Sequence, residues 1–143
     1  SAEAELFTQG AHLTHFKVNG KEPIIWCSRK TSFKQNSAIR GGIPLCWPWF
    51  GDLNKNPEIV RASMVPGANF AHGFVRNLEW ELIDITESSS KQTIVKMALS
   101  SNDNTQQTFP HAFKLIIEFS IGIVILLAGG TLFAVSFFRN PKK

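Results

Sequence analysis

Apolar and polar side chains alternate most clearly in the second half of the chain, and this alternation predicts β-strands. Over residues 92–100, one face of an extended chain carries Thr93, Val95, Met97 and Leu99. Over residues 113–121, the matching face carries Phe113, Leu115, Ile117, Phe119 and Ile121. A period of two is typical of half-buried antiparallel strands. Since no segment shows a convincing helical period, the predicted fold class is all-β, an antiparallel β-sandwich.

Two shorter extended runs, Glu3–Thr8 and Ala11–Val18, precede these strands. Asn19-Gly20 then gives a strong hairpin signal, because a type I′ turn needs positive φ at both central residues. It predicts Pro23–Ser28 as the return strand of a hairpin. Residues 52–69 are rich in asparagine, proline and glycine without periodicity, so we predict a long surface loop there.

The C-terminal tail departs from this pattern. Residues 119–138 carry no charge, and three basic residues follow them. Length and hydropathy make this stretch a candidate membrane segment, but its first residues continue an alternating strand and glycines interrupt it. A membrane segment, a buried strand, and sequence that is not native to the domain all stay open, with the membrane segment less favoured. We place a domain boundary after Gly122, between residues 1–122 and a tail of residues 123–143.

The net charge of +4 is modest, but its distribution is uneven. No acidic residue lies between Pro23 and Gly51, whereas this interval contains Arg29, Lys30, Lys34 and Arg40. Such a local basic field favours a phosphate or carboxylate ligand, and nothing in it indicates nucleic acid. A solvated basic loop is the alternative interpretation.

Cysteine and histidine usage predicts a reducing compartment and no metal centre. Cys27 and Cys46 are isolated thiols, and no signal peptide precedes the first strand, so we expect a cytoplasmic protein. His12 and His15 are three residues apart and would face opposite sides of a strand. No Cys, His or Asp cluster has the spacing of metal ligands, and we predict no metal.

The most unusual stretch is 38–51, AIRGGIPLCWPWFG. Its paired glycines permit backbone angles that are closed to other residues, and its two prolines remove backbone donors, so a shaped loop is predicted. The loop presents the guanidinium of Arg40 and aromatic faces, of which Trp49 is a candidate stacking wall for a sugar. A rigid aromatic corner with a surface arginine explains the same residues about equally well.

His72, which precedes Gly73 in AHGFVRN, is a candidate ligand contact or titrating group. The alternative is a histidine held by backbone groups at the entrance of a strand.

Four motifs in order resemble the hexose-6-phosphate mutarotases, the glucose-6-phosphate 1-epimerases of the aldose 1-epimerase superfamily. They are QGAHL at 9–13, AIRGGIPLCWPWFG at 38–51, AHGFVRN at 71–77 and FPHAFKL at 109–115. The resemblance covers roughly residues 4–122. It implies a galactose-mutarotase-like β-sandwich that interconverts the α and β anomers of a hexose 6-phosphate, without a metal or organic cofactor.

The resemblance also implies roles for particular residues. Arg40 matches a ligand-binding arginine expected to meet the sugar or its phosphate. His72 matches the first active-site histidine, expected to contact ring or anomeric oxygens. Arg76 matches a supporting residue near the pocket, and Gln35 lies where a polar side chain would contact the substrate.

Two catalytic parts of the family pattern are missing from these 143 residues. They contain neither an HTYF-like motif, whose histidine is the presumed general acid, nor the later glutamate, the presumed general base. Ring opening needs both functions. The sequence therefore resembles an amino-terminal portion of the enzyme that we expect to be inactive. A non-catalytic sugar-phosphate-binding module and a membrane-anchored β domain are the alternatives, and we expect an isolated partial sandwich to self-associate.

Overall fold

A computed structural model of the chain describes residues 2–122 and 134–137. The fold is mostly β, as predicted, and every strand pair is antiparallel. One sheet contains β1 (Ala2–Phe7) and β2 (His12–Val18). The other has the order β3-β4-β5-β6, formed by β3 (Glu81–Glu87), β4 (Thr93–Ser100), β5 (Lys114–Ile121) and β6 (Ala134–Phe137).

The core forms where the alternating faces of β4 and β5 meet. The register pairs Val95 with Phe119, Met97 with Ile117 and Leu99 with Leu115, and all six side chains are buried. On the opposite face of the same strands, Lys96 and Glu118 form an ion pair at 3.3 Å. Direct cross-strand pairs of this kind are the unit of sheet stabilisation. The sequence pattern therefore predicted both strands and most of their inward faces; Thr93 is exposed, and Ala98 on the opposite face is buried.

The hairpin predicted at Asn19-Gly20 is wrong. β2 pairs with β1 instead, Ala2 lying opposite Val18, and the connection runs through the Gln9-Gly10 turn. Residues 23–28 form no strand, although the amide of Ile24 donates to the carbonyl of Phe16 in β2 at 3.0 Å and Cys27 makes an isolated bridge with Gly41. The reason is that Pro23 lacks a backbone donor and that the amide of Gly42 bonds the carbonyl of Trp26, which directs this segment to the loop of residues 34–43.

Short helices occur in two places where the sequence predicted only loop or turn. Residues 53–55 form a 3-10 helix, and α1 (Glu58–Ala62) follows it within the predicted surface loop. α2 (Asp103–Gln106) begins with a capping box between Asn102 and Thr105. Elements of three to five residues are too short to display a helical period, which is why the hydrophobic pattern did not reveal them.

The candidate membrane segment is described only in part. Residues 119–121 belong to β5, and β6 pairs with β5 so that Leu115 lies opposite Phe137. Residues 123–133 and 138–143 lie outside the described residues. Within the described part, no helix has the length and apolar character needed to cross a membrane.

β3 lies at the outer edge of its sheet and carries exposed apolar side chains. Leu82, Ile83 and Ile85 are each exposed, and β3 has β4 as its only neighbour among the described strands. Exposed edges and apolar faces promote association between copies. The expected self-association of the isolated chain stays a prediction that this surface supports.

A tight backbone contact brings two distant segments together. The carbonyl of Trp47 accepts a hydrogen bond from the amide of Phe74 at 3.1 Å, and Trp47 and Gly73 form a parallel bridge. A Cβ atom at Gly73 would overlap the carbonyl oxygen of Trp47, and the residue has φ of +71°. Only glycine suits both conditions.

His12, the first residue of β2, is a buried polar side chain with 1% of its surface exposed. Its Nε2 lies 2.7 Å from the carbonyl oxygen of Gly41. Because a carbonyl only accepts, Nε2 must carry the proton, and the neutral ring satisfies this bond. Burial lowers the pKa of His12, the bond to Gly41 opposes this shift, and the positive charge of Arg76 lowers the pKa further.

This lowered pKa predicts that the chain loses stability in mild acid. The unfolded state binds a proton at His12 below its ordinary pKa of 6.5, while the folded state resists it. The contribution of His12 to stability is therefore fully present above pH 6.5 and declines as the pH falls below that value. Thermal unfolding of the wild type and His12→Gln between pH 7.5 and 5 measures it, because glutamine keeps an N–H donor but does not titrate. An equal decline in both proteins would contradict the prediction.

The contact at Gly73 predicts a substitution effect that can be separated from backbone strain. Gly73→Ala adds a methyl group where the Trp47 carbonyl already lies, so unfolding should become easier by several kcal/mol, about 3 or more. Gly20→Ala is the matched control, since Gly20 has φ of +74° but open space around its Cβ position. Urea unfolding of both variants should show the larger loss at Gly73, and equal losses would show that strain alone matters.

Candidate functional site

The sequence-predicted loop and the His72 segment line one open groove of about 840 Å³. The loop of residues 38–51 contributes Ala38–Gly42 and Pro44, the basic stretch before it contributes Lys30, Ser32 and Ser37, and the second segment contributes Ala71, His72 and Arg76. No aspartate or glutamate is among its lining residues. A concave surface with one sign of charge concentrates ligands of the opposite sign.

Arg40 has a fixed backbone and an exposed side chain. Its amide donates to the hydroxyl oxygen of Thr31 at 3.2 Å, and its carbonyl accepts hydrogen bonds from that hydroxyl and from the amide of Ser28. Among the described residues, no carboxylate forms an ion pair with its guanidinium. The cation is therefore held at the groove by its main chain and stays available for an anion.

Gly41 and Gly42 bring the loop backbone close to the strands behind it. A Cβ atom at Gly41 would lie 2.6 Å from the carbonyl oxygen of Trp26, and one at Gly42 would lie 2.6 Å from that of Leu13. Both glycines have positive φ. The pair is required by the close approach of three backbone segments, and this approach forms the floor of the groove.

The ring of His72 is oriented by backbone groups of the aromatic loop. The amide of Gly51 donates to Nδ1 of His72 at 3.2 Å, and the amide of His72 donates to the carbonyl of Gly51 at 2.8 Å. Phe50 packs edge-on against the ring, with centroids 4.7 Å apart. Because Nδ1 accepts a hydrogen bond, the neutral ring carries its proton on Nε2. The nitrogen left for a ligand is thus a donor.

Arg76 lines the groove and is partly buried. Its Nε has no hydrogen-bond partner among the described residues, and neither does Nδ1 of His12. Burial raises the pKa of Cys46, an effect that the charge of Arg76 partly offsets. The same charge acts on Cys46 and His12, so Arg76 contributes a positive field inside the domain as well as at the groove.

The structure brings three of the five predicted site residues together: Arg40, His72 and Arg76. Gln35 is exposed in the same loop but does not line the groove. Trp49 lies in the core, 3% exposed, and its indole N–H donates to the carbonyl of Phe70 at 2.9 Å. It has no free face in the groove.

Sequence reasoning missed the support that Gln9 and His12 give to this loop. The side-chain amide of Gln9 donates to the carbonyls of Lys34 and Ser37, and the ring of His12 donates to that of Gly41. The QGAHL motif was a usable signal, but His12 was considered there only as a metal ligand. Across the described residues, no group of three His, Cys, Asp or Glu side chains is placed to hold a metal ion.

Comparison with known sequences finds relatives that are named as epimerases. The family model described as aldose 1-epimerase matches residues 1–122. A protein of Escherichia coli K12 named "Putative glucose-6-phosphate 1-epimerase" is 38% identical over 120 residues, which are 84% of this chain and 37% of the relative. A protein of the same name from Cenchrus ciliaris is 28% identical over 123 residues, 83% of this chain and 33% of the relative. The chain thus spans about a third of the length of these relatives.

Solved structures share the fold of the described residues. A crystal structure titled as a "putative mutarotase (YeaD)" from Salmonella typhimurium superposes with a TM-score of 0.71 at 36% identity, covering 85% of this chain and 37% of that one. The Slr1438 protein of Synechocystis superposes with a TM-score of 0.65 at 28% identity, covering 85% and 40%. With the family model matching most of its length and the mutarotase-like sheets described above, the chain belongs to the aldose 1-epimerase family.

Proposed function

We propose that the groove binds the phosphate group of a hexose 6-phosphate, with Arg40 as its principal contact. The observation that carries this proposal is the lining of the groove, where Arg40, Lys30 and Arg76 occur with His72 and no carboxylate. Arginine binds phosphate oxygens through paired N–H donors, and a site without acidic residues does not repel the ligand. The names of the relatives, which specify glucose 6-phosphate, support this choice of substrate class.

In this proposal His72 acts as a hydrogen-bond donor to the sugar. Its Nδ1 is occupied by the amide of Gly51, so Nε2–H is the group that can meet a ring or anomeric oxygen. Gln35 is a proposed secondary contact, because it lies in the loop that borders the groove. Trp49 is left out of the proposed contacts, since its ring is buried and its N–H is already bonded.

We propose further that a polypeptide of these 143 residues binds the sugar phosphate without interconverting its anomers. Mutarotation requires a base for the anomeric hydroxyl and an acid for the ring oxygen. The groove offers cations, hydroxyls and one N–H donor, and it has no carboxylate. The function proposed for this chain is therefore the substrate-binding part of a hexose-6-phosphate mutarotase, an isomerase whose remaining catalytic groups are not among these residues. A cytoplasmic location stays a prediction, supported by the free thiols Cys27 and Cys46.

Replacing Arg40 should weaken phosphate binding strongly. Arg40→Ala removes a charge-assisted contact of about 1.5–3 kcal/mol, which corresponds to an affinity roughly 10- to 100-fold lower for glucose 6-phosphate. Arg29→Ala is the matched control, because it removes an equal charge from the same basic stretch outside the groove lining. Isothermal titration calorimetry with glucose 6-phosphate compares the affinities of the two variants. Equal affinities would show that the general basic field, and not the groove, binds the ligand.

The absence of catalysis can be measured directly. Freshly dissolved α-glucose 6-phosphate should reach anomeric equilibrium at the same rate with the chain as in matched buffer, followed by proton NMR of the anomeric signals. Phosphate buffers are avoided because phosphate itself catalyses the exchange and competes for the groove. A rate that rises with protein concentration and falls for Arg40→Ala would contradict the proposal and show that this groove alone turns over the sugar.

A further inference from the structure

The turn between β1 and β2 packs directly behind the loop of residues 34–43, which carries Gln35 and Arg40. Three successive features of this turn touch the groove elements from behind. Gln9 bonds the loop at one end, and His12 bonds it at the other. Between them, Gly10 lies so close to Arg76 that a Cβ atom there would overlap the Arg76 carbonyl oxygen. None of the three lines the groove itself.

The contact of His12 is specific in chemistry and in shape. Nε2–H donates to the Gly41 carbonyl at 2.7 Å, and the ring is buried. The next residue, Gly42, has no room for a side chain because the ring of His12 occupies that space. The amide of Ile43 donates to the carbonyl of Leu13 at 2.9 Å, so the loop is also joined to β2 just beyond this point. The position of Gly41 is therefore determined by β2.

The contact of Gln9 fixes the other side of Arg40. Its amide nitrogen has two N–H groups, and it donates to the carbonyls of Lys34, at 2.9 Å, and Ser37. These carbonyls flank Gln35 in the chain. The loop is thus held before Arg40 by one side chain and directly after it by another, both from a single turn.

We propose that Gln9 and His12 are positioning residues of the groove, which form a two-point clamp on the loop that presents Arg40. This inference rests on the proposed phosphate-binding function. A ligand that binds a pre-ordered loop does not have to order it, so the clamp raises affinity without touching the ligand. Thr31 secures the Arg40 backbone locally, and the clamp places this whole unit against β2.

The test uses the full chain with inorganic phosphate and glucose 6-phosphate as probes. His12→Leu and Gln9→Met keep much of the side-chain volume but remove the donors, and each should lower affinity about three- to tenfold, the equivalent of one or two hydrogen bonds. His12→Gln restores an N–H donor near the position of Nε2 and should bind within about twofold of wild type. His15→Gln, a change on the same strand at a partly exposed site, is the control and should bind like wild type.

The results separate this inference from the function on which it rests. If the wild type binds neither probe, the phosphate-binding proposal fails, and the clamp is then judged by amide hydrogen exchange of residues 34–43. Faster exchange in His12→Leu than in His12→Gln supports the clamp, and equal exchange overturns it. If the wild type binds but His12→Leu binds equally well, or if His12→Gln is as weak as His12→Leu, the positioning role is overturned.

A measurement on the wild type keeps the inference testable if the variants do not fold. The clamp requires that the ring of His12 carry its proton on Nε2 and leave Nδ1 bare at neutral pH. Nitrogen-15 spectra of the histidine rings distinguish this tautomer from the other. The opposite tautomer would mean that Nε2 cannot donate to Gly41, and would overturn the assignment.

Discussion

The site depends on a backbone contact that only glycine permits. The carbonyl of Trp47 lies against Gly73, and this contact holds the aromatic loop beside the segment that contains His72. Together with the hydrogen bonds between Gly51 and His72, it joins segments that carry Arg40 and His72 and are separated by 31 residues of chain. The same kind of contact recurs at Gly10, Gly41 and Gly42, where the backbone of one segment packs directly against another segment. These contacts fix the positions of loops that lie outside the strands.

The charged residues in and near the groove are mostly cations. The groove has cations and no carboxylates, and one of these cations, Arg76, also lies close to His12, whose pKa is lowered by burial and by this charge. Two buried nitrogens, Nε of Arg76 and Nδ1 of His12, have no hydrogen-bond partner in the described part of the chain. Uncompensated polar groups of this kind reduce stability, so the region behind the groove is a place where the fold accepts a cost.

How much the sequence could predict follows from the range of the interactions involved. β4 and β5 were predictable because their alternation is local and each strand is long enough to show it. The hairpin at Asn19-Gly20 was mispredicted because a favourable turn sequence does not determine how far the following segment pairs; after the hydrogen bond from Ile24 to Phe16, this segment bonds the loop of residues 34–43 instead. Arg40 and His72 were found through motif resemblance and do share a groove. The burial of Trp49 could not be predicted, because a tryptophan beside a proline in a loop suits a core as well as the wall of a pocket. Its 3% exposure places it in the core.

The hydrogen bond from Gly51 to His72 has a consequence for how protons can travel in this family member. A histidine relays a proton only when one nitrogen receives it as the other releases it. At His72 one nitrogen is committed to a backbone amide, which has no lone pair to offer and is not acidic at ordinary pH. While this hydrogen bond is in place, His72 cannot pass a proton from one ring nitrogen to the other. If a sugar binds in this groove as proposed, the groups that remove a proton from it and return one to it are therefore groups other than His72.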